Sequence, residues 1–352
     1  MTDPSLYPIR GYAPKDEEGI TQLFQRAYGH SITEDHWRWK MKGYPSTVEN
    51  VWLALDGDRL IFQYAGLPLC YQLGGQVWRG MVGADAMTDP DYRRRGLLTR
   101  VSQHAFEVWR EAGVAFNIGL PNEKWGSRKD ALGWEPLFAL QWMVYPMRPE
   151  AILGRKLGWH FLRRMILPGR VWRVFWQRAR VGTGNVQIEP VAQAGEAFDR
   201  FWDNIRGDFQ FSVVRDRQWV AWRYLDCPTY PYRVLAARVG AELRGYAVYR
   251  IAAEDQAVRG FIPEIITARQ DTVTWHALVN TVLHEMDAAG VETVMTQVPR
   301  HAWQFRQYQK RGFLPGRHGF QVRMVQFDPA LPFAELRDPD RWLMCGGDFD
   351  AI

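Results

Sequence analysis

The sequence predicts an α/β protein with two similar domains, each a mixed, mostly antiparallel sheet flanked by helices. Three observations predict this fold class. The chain has 352 residues, which suits two domains of ordinary size. Apolar runs of strand length, separated by turn-forming Asp-Gly and Gly-Gly steps, give way to segments with helical spacing. The same order of segments then returns in the second half of the chain, which is typical of a duplicated domain.

In the first half, residues 51–55, 60–73 and 76–88 have the pattern of a strand meander, with Asp56-Gly57 and Gly74-Gly75 as its turns. Helical spacing begins at Leu98 and ends at Gly113, which has the position of a helix C-cap. A buried strand (VAFNIGL), a polar stretch compatible with a helix (NEKWGSRKDAL) and another apolar strand (FALQWMVY) follow.

The second half repeats this order. The segment VLAARVGAEL corresponds to VWLALDGDRL, a helix ends at Gly290, VETVMTQVP follows as its strand, and Gly312-Phe313 corresponds to Gly133-Trp134. We therefore predict one domain over residues 1–150 and a second, degenerate copy over 187–330. Residues 151–186 form a linker between them. Residues 331–352 form a C-terminal tail, whose acidic, glycine-containing end Cys345–Asp350 we expect to be disordered in solvent. The alternative is that Trp342, Leu343 and Met344 anchor this end and direct a carboxylate toward the acceptor amine.

Composition narrows the functional classes. Three widely spaced cysteines without a Cys-x-x-Cys motif favour a reduced, cytoplasmic protein and give no sign of a bound metal. The polar N-terminal stretch does not resemble a signal peptide, and no uncharged apolar run has the length of a membrane span.

Basic charge is concentrated in the linker. Residues 151–186 contain eight Arg and Lys residues and no acidic one, interleaved with Trp, Phe, Leu and Ile. Three interpretations stay open: a helical segment packed on the two copies, peripheral contact with an anionic membrane, or a grip on RNA or another polyanion. The first is favoured.

The segment TDPDYRRRGLL, residues 88–98, lies between a strand and the helix that begins near Leu98. A tight turn, a glycine and an immediate helix start direct unpaired backbone N–H groups toward one spot, and the helix dipole adds partial positive charge there. A phosphate or pyrophosphate suits this arrangement. On spacing alone, a solvated basic turn that merely begins a helix is an equal alternative.

The flanking residues resemble the GNAT superfamily of acyl-CoA-dependent N-acyltransferases. Arg93-Arg94-Arg95-Gly96-Leu97-Leu98 resembles its Arg/Gln-x-x-Gly-x-Gly/Ala motif, with Leu98 as a departure at the sixth position. Asn122, followed after the expected interval by Gly133-Trp134, meets the next landmarks. The resemblance covers roughly residues 8–147, and a weaker echo covers the second copy.

The resemblance implies acetyl-CoA, or another acyl-CoA, as co-substrate, with its pyrophosphate on the amides that begin the helix. Its pantetheine arm would pair with the preceding strand. The implied cofactor-binding residues are Ala86, Met87, Thr88, Arg93, Arg94, Arg95, Gly96, Leu97, Leu98, Thr99 and Asn122.

Three residues are catalytic candidates. Asp85 precedes the strand segment that would face pantetheine and is a candidate base, although a structural carboxylate is the stronger alternative. Lys129 stands where the family often has a tyrosine that protonates the departing thiolate, and a solvent-facing lysine is the stronger alternative. Tyr308 occupies the matching place in the second copy, which lacks the phosphate-loop glycine.

The expected function is therefore N-acyl transfer, most simply N-acetyl transfer, to an amine of a small-molecule or glycan-like acceptor by direct attack. Two alternatives stay open. One is a tRNA-dependent aminoacyltransferase with tandem copies of this fold, in which the basic linker would bind the RNA. It is disfavoured, and nucleic acid is not the expected partner, because that family generally lacks a pyrophosphate loop such as the one this chain has at residues 93–98. The other is a non-catalytic acyl-CoA-binding protein.

Overall fold

A computed structural model describes residues 7–121, 125–157, 184–254 and 256–349. Its described residues divide into two compact units, each made of discontinuous parts of the chain. The first unit contains the described residues up to Phe138 together with Asp226–Thr229 and Gln321–Asp338. The remaining described residues form the second unit. The domain boundaries predicted from the sequence stay a prediction.

The first unit is built around an antiparallel meander that ends in one parallel pair. In chain order its elements are β1 (Ile9–Gly11), α1 (Glu17–Tyr28), α2 (Glu34–Lys42), β2 (Val51–Asp56), β3 (Arg59–Leu73), β4 (Gln76–Thr88), α3 (Leu97–Glu111), β5 (Phe116–Gly119) and α4 (Arg128–Ala131). Strands β1 to β4 pair antiparallel in sequence order, and β4 pairs parallel with β5. The predicted Asp-Gly and Gly-Gly turns are confirmed, with Gly57, Gly74 and Gly75 in the left-handed conformation that such tight turns favour.

The second unit repeats that order of elements. It contains α5 (Pro149–Leu157), β7 (Gln187–Pro190), α6 (Glu196–Ile205), β8 (Phe211–Val213), α7 (Arg217–Val220), β9 (Arg233–Val239), β10 (Glu242–Glu254), β11 (Ala257–Thr267), α8 (Thr272–Ala288), β12 (Thr293–Pro299) and α9 (Trp303–Lys310). Strands β9, β10 and β11 form the meander, and β11 pairs parallel with β12. A strand order of meander, helix and parallel strand therefore occurs twice, as the sequence predicted.

Two long strands are shared between the units. Strand β6 (Glu135–Pro146) pairs antiparallel with β12 through its second-unit residues. Strand β13 (Leu314–Gln326) gives its last residues to the first unit, where Arg323–Gln326 pairs antiparallel with Phe116–Gly119. Helix α10 (Phe333–Leu336) belongs to the first unit, and β14 (Trp342–Leu343) to the second.

Each unit has its own apolar core between sheet and helix. In the first, Trp109 of α3 packs with Tyr64 and Phe106, and Phe106 also meets Trp134. In the second, Trp275 of α8 packs with Tyr308 of α9, and Tyr308 also meets Phe313. These clusters account for many of the chain's large aromatic residues.

The expectation that the C-terminal tail dangles is wrong for its described part. Trp342, Leu343, Met344, Cys345 and the turn Gly346–Asp348 are buried in the second unit. The burial of the tail's apolar residues and an ion pair between Asp348 and the buried Arg215 hold it there. The predicted helical linker falls largely on residues 158–183, which lie outside the described residues. Among the described residues, no helix is long and apolar enough to cross a membrane.

Candidate active site

The start of α3 presents open backbone donors. Gly96 precedes the helix with φ of 76°, and Arg94 also has positive φ, at 63°. No side chain caps this helix start. Within the described part of the chain, the amides of residues 94–99 donate to no protein acceptor. Such unpaired N–H groups at the positive end of a helix dipole form an anion site.

A cleft of about 400 Å³ opens at this helix start. The predicted cofactor-binding residues that are described all line it: Ala86, Met87, Thr88, Arg93, Arg94, Arg95, Gly96, Leu97, Leu98 and Thr99. Asn122 lies outside the described residues. The cleft also has walls that the sequence analysis missed, namely Ala27, Tyr28, Tyr92, Trp125 and Arg128. Trp125 and Arg128 come from the polar stretch that follows β5. The aromatic ring of Trp125 and the charge of Arg128 are the sequence features that could have indicated a role in ligand binding.

The three consecutive arginines have different environments. The Arg95 guanidinium donates to Tyr7 Oη at 2.6 Å and to the Asp91 carbonyl at 3.0 Å, and it lies over the Tyr92 ring. Arg95 therefore builds the wall of the cleft. Arg93 and Arg94 are exposed and form no ion pair with a described residue, and the same holds for Arg128. These three cations can pair with an anionic ligand.

A buried carboxylate fixes the turn that leads into the cleft. Asp89 accepts from Arg26 Nε at 2.8 Å, from Arg59 Nη2 at 2.9 Å and from the Asp91 amide at 3.2 Å. Burial alone would raise the pKa of Asp89, but these donors outweigh it and hold the pKa below its ordinary value. The ionised carboxylate thus anchors the turn to α1 and β3.

Strands β4 and β5 part just before the cleft. Their parallel pairing extends only over Gly80–Val82 and Phe116–Ile118. Beyond Val82, β4 keeps β3 as a partner on one edge, and no described strand pairs with its other edge. An extended ligand could therefore hydrogen-bond along Gly83–Thr88 as an added strand.

Trp134 packs against the backbone where the strands part. A Cβ atom at Gly83 or Gly119 would lie 3.5 or 3.3 Å from the tip of the Trp134 indole. Glycine at both positions lets the ring approach the two strands closely. The indole of the Gly133-Trp134 pair thus packs against β4 and β5 where they part, on the face of the sheet that α3 covers.

None of the three catalytic candidates lines the cleft. The Asp85 side chain is 9% exposed, and both of its oxygens lie 2.9 Å from Lys40 Nζ. Lys129 lies on α4 beside Arg128, which does line the cleft. Tyr308 is 2% exposed within the core of the second unit, where burial raises its pKa well above the ordinary value. A hydroxyl without access to a ligand cannot deliver a proton to it, so Tyr308 is a core residue in this structure.

The corresponding helix start in the second unit is closed. Asp271 precedes α8, and its Oδ1 accepts from the Thr274 amide at 3.0 Å. Its Oδ2 accepts from Thr274 Oγ1 at 2.8 Å and pairs with Arg244. The protein's own carboxylate therefore occupies the place that stays open beside Gly96. Among the described residues, no group of His, Cys, Asp and Glu could hold a metal ion.

Comparisons with solved structures support the fold. A GCN5-related N-acetyltransferase from Anabaena variabilis ATCC 29413 is 11% identical and matches with a TM-score of 0.67 over 92% of this chain and 73% of its own. A conserved protein of unknown function and probable N-acyltransferase from Enterococcus faecalis V583 is 13% identical, with a TM-score of 0.64 over 91% and 73%. A GCN5-related N-acetyltransferase from Kribbella flavida is 13% identical, with a TM-score of 0.62 over 92% and 72%.

No curated protein matches the sequence of this chain. The family model of the acetyltransferase (GNAT) domain matches residues 8–137, which include β1 through β5, the arginine-rich turn and α3. Residues 8–137 of this chain therefore form a GNAT acetyltransferase domain.

Proposed function

We propose that the chain is an N-acyltransferase that moves an acetyl group from acetyl-CoA to an amine of a small-molecule or glycan-like acceptor. The observation that carries this proposal is the open helix start at Gly96, with unpaired amides and three unpaired arginines beside it. Its closed counterpart at Asp271 argues against a second acyl-CoA site at the start of α8.

In the proposed complex, the diphosphate of coenzyme A accepts from the amides of residues 94–99, and Arg93, Arg94 and Arg128 neutralise its charge. The pantetheine arm extends along the free edge of β4, and the thioester reaches the gap between β4 and β5. The neutral amine nitrogen then attacks the thioester carbonyl, the carbon–nitrogen bond of the amide forms and the carbon–sulfur bond breaks. The proton lost by the nitrogen balances the one gained by the departing thiolate, which leaves as the coenzyme A thiol. Positioning of amine and thioester in one geometry supplies much of the acceleration, so the site needs few side chains.

A second candidate is an acyl-CoA-binding protein without catalysis. It is favoured by one observation: Asp85, Lys129 and Tyr308 all lie away from the cleft lining. Cytoplasmic location and the tRNA-dependent alternative were inferred from sequence alone, and both stay predictions.

The test combines calorimetric binding of acetyl-CoA with thiol release across amino sugars, amino acids, polyamines and peptides.

Gly96→Asp should weaken binding roughly tenfold or more, because its carboxylate would cap the helix start as Asp271 does in the second unit. Arg93→Ala with Arg94→Ala should weaken binding roughly fivefold, whereas the exposed, unpaired Arg317→Ala is a matched control without effect. Unchanged affinity in Gly96→Asp refutes the site, and binding without thiol release for any amine supports the second candidate.

A further inference from the structure

The C-terminal segment from Pro339 to Phe349 is bound by the second unit like a ligand. Its strand β14 pairs parallel with β8, placing Trp342 beside Phe211 and Leu343 beside Ser212. The residues that follow, Met344 to Phe349, are all buried. Aspartate is rarely buried without a partner, so the contacts of Asp348 in this segment require an explanation.

The segment ends at the place where β11 and β12 part. Those strands pair in parallel from Arg259–Ile262 to Thr293–Thr296, and the turn Gly346–Asp348 contacts both of them. In the first unit the corresponding place is the gap beyond Val82 and Ile118. Among the described residues, no strand pairs with β4 on that side beyond Val82, whereas residues 346–348 lie at the corresponding place in the second unit.

Buried charges hold the segment. Arg215 is 0% exposed and lies between two carboxylates, with Nε 3.1 Å from Glu264 Oε2 and Nη2 2.6 Å from Asp348 Oδ1. Glu264 also accepts from Tyr246 Oη at 2.8 Å and from Trp219 Nε1 at 3.2 Å. Because a buried charge without a partner is costly, removing Asp348 would leave Arg215 undercompensated.

The backbone of the segment is recognised as well. Arg223 donates from Nε to the Gly347 carbonyl at 3.0 Å and from Nη2 to the Phe349 carbonyl at 2.9 Å. A Cβ atom at Gly347 would overlap the Tyr224 hydroxyl, which is buried and has no hydrogen-bond partner among the described residues. The surrounding residues therefore select for glycine at position 347.

We propose that the gap between β11 and β12 is a peptide-binding groove whose ligand is the segment Cys345–Phe349 of this chain. The groove selects an aspartate through Arg215, an extended carbonyl backbone through Arg223, and a glycine through the Tyr224 hydroxyl. This inference is independent of the proposed acyl transfer, because all of its residues lie in the second unit.

The experiment uses the full chain with a protease recognition sequence inserted after the exposed Arg337. The folded protein is cut, and the cut sample is separated by size-exclusion chromatography. We expect the fragment from residue 338 onward to remain bound and to exchange with a labelled synthetic peptide of residues 339–352. Loss of the fragment from a remainder that keeps its circular dichroism spectrum would overturn the proposal.

Two substitutions whose effects should compensate test the geometry at Gly347 and Tyr224. Tyr224→Phe should retain the fragment like the unsubstituted protein, since its hydroxyl has no partner. Gly347→Ala should weaken retention roughly tenfold or more because of the overlap. Tyr224→Phe with Gly347→Ala should recover most of that loss, because the nearest remaining atoms lie at 3.4 Å. Normal retention in Gly347→Ala, or a double variant no better than Gly347→Ala, would contradict the groove.

Discussion

The ammonium group of Lys40 lies 2.9 Å from each carboxylate oxygen of Asp85, and the two side chains are only 5% and 9% exposed. Asp85 also has positive φ, at 42°, at an irregularity in the pairing of β3 with β4. The ion pair joins α2 to the strand that borders the cleft. It favours a structural role for Asp85 over the role of a base.

Substitution of either partner should therefore destabilise the protein. Lys40→Met and Asp85→Asn should each lower the free energy of unfolding by about 3 kcal/mol, because each removes one member of a largely buried ion pair. Urea unfolding measures this loss, and Glu196→Gln, which breaks an exposed pair with Arg200, is the control with little effect. A fall in kcat for Asp85→Asn that Lys40→Met does not share would instead identify Asp85 as a base.

Neighbouring cations on α4 should differ in function. Arg128→Ala should weaken acetyl-CoA binding about fivefold, because this guanidinium lines the cleft. Lys129→Ala should leave both binding and kcat unchanged, since Lys129 is absent from the cleft lining. Titration of acetyl-CoA into each variant measures the two affinities, and steady-state kinetics measure kcat. A loss of kcat in Lys129→Ala alone would support the hypothesis that Lys129 protonates the departing thiolate.

Tyr308→Phe should affect stability rather than catalysis. Its hydroxyl is hydrogen-bonded to Thr296 in the core of the second unit, so its removal should cost about 1 kcal/mol of unfolding free energy. Thermal unfolding and steady-state kinetics on the same sample separate the two effects. A tenfold lower kcat with unchanged unfolding would show that the hydroxyl reaches substrate.

The pH dependence of stability should report on Asp348. Burial, together with the nearby Glu264 charge, raises the pKa of Asp348 from 3.8 to about 6 despite the opposing effect of Arg215. The folded chain then keeps a proton that the unfolded chain has already lost, so the unfolding free energy due to Asp348 falls as pH rises from 3.8 toward about 6.

Comparison with Asp348→Asn isolates this group, because other carboxylates titrate alike in both proteins. The melting temperature of the unsubstituted protein should decline relative to that of Asp348→Asn between pH 4 and pH 6 (about the interval bounded by the two pKa values) and change little above it. A relative increase over that interval would contradict the predicted direction.

Local patterns were enough to predict the repeated elements and the cleft. Strand alternation, paired glycine turns and the glycine before α3 each act over a few residues, and the structure confirms the predicted strands, turns and helix. The predicted cofactor-binding residues that are described come together because they are nearly consecutive in the chain. Their role in binding coenzyme A stays a prediction.

Long-range pairing could not be predicted in this way. The residues around Asp85 in the sequence do not indicate that Lys40 pairs with it. Likewise, the sequence of Cys345–Asp348 does not indicate that Asp348 pairs with the buried Arg215. A polar, glycine-containing tail looks solvated until its buried partners are known. The position of Tyr308 likewise depended on aromatic neighbours contributed by α8 and by the loop before β13.

The pairing of Arg323–Gln326 with Phe116–Gly119 has a practical consequence for fragment work. A fragment cut to the recognisable acetyltransferase region would lack the strand that covers β5 and would expose a row of unpaired backbone groups. Such a fragment invites aggregation during expression. During synthesis of the intact protein, likewise, the first sheet stays incomplete until some two hundred further residues have been added after β5.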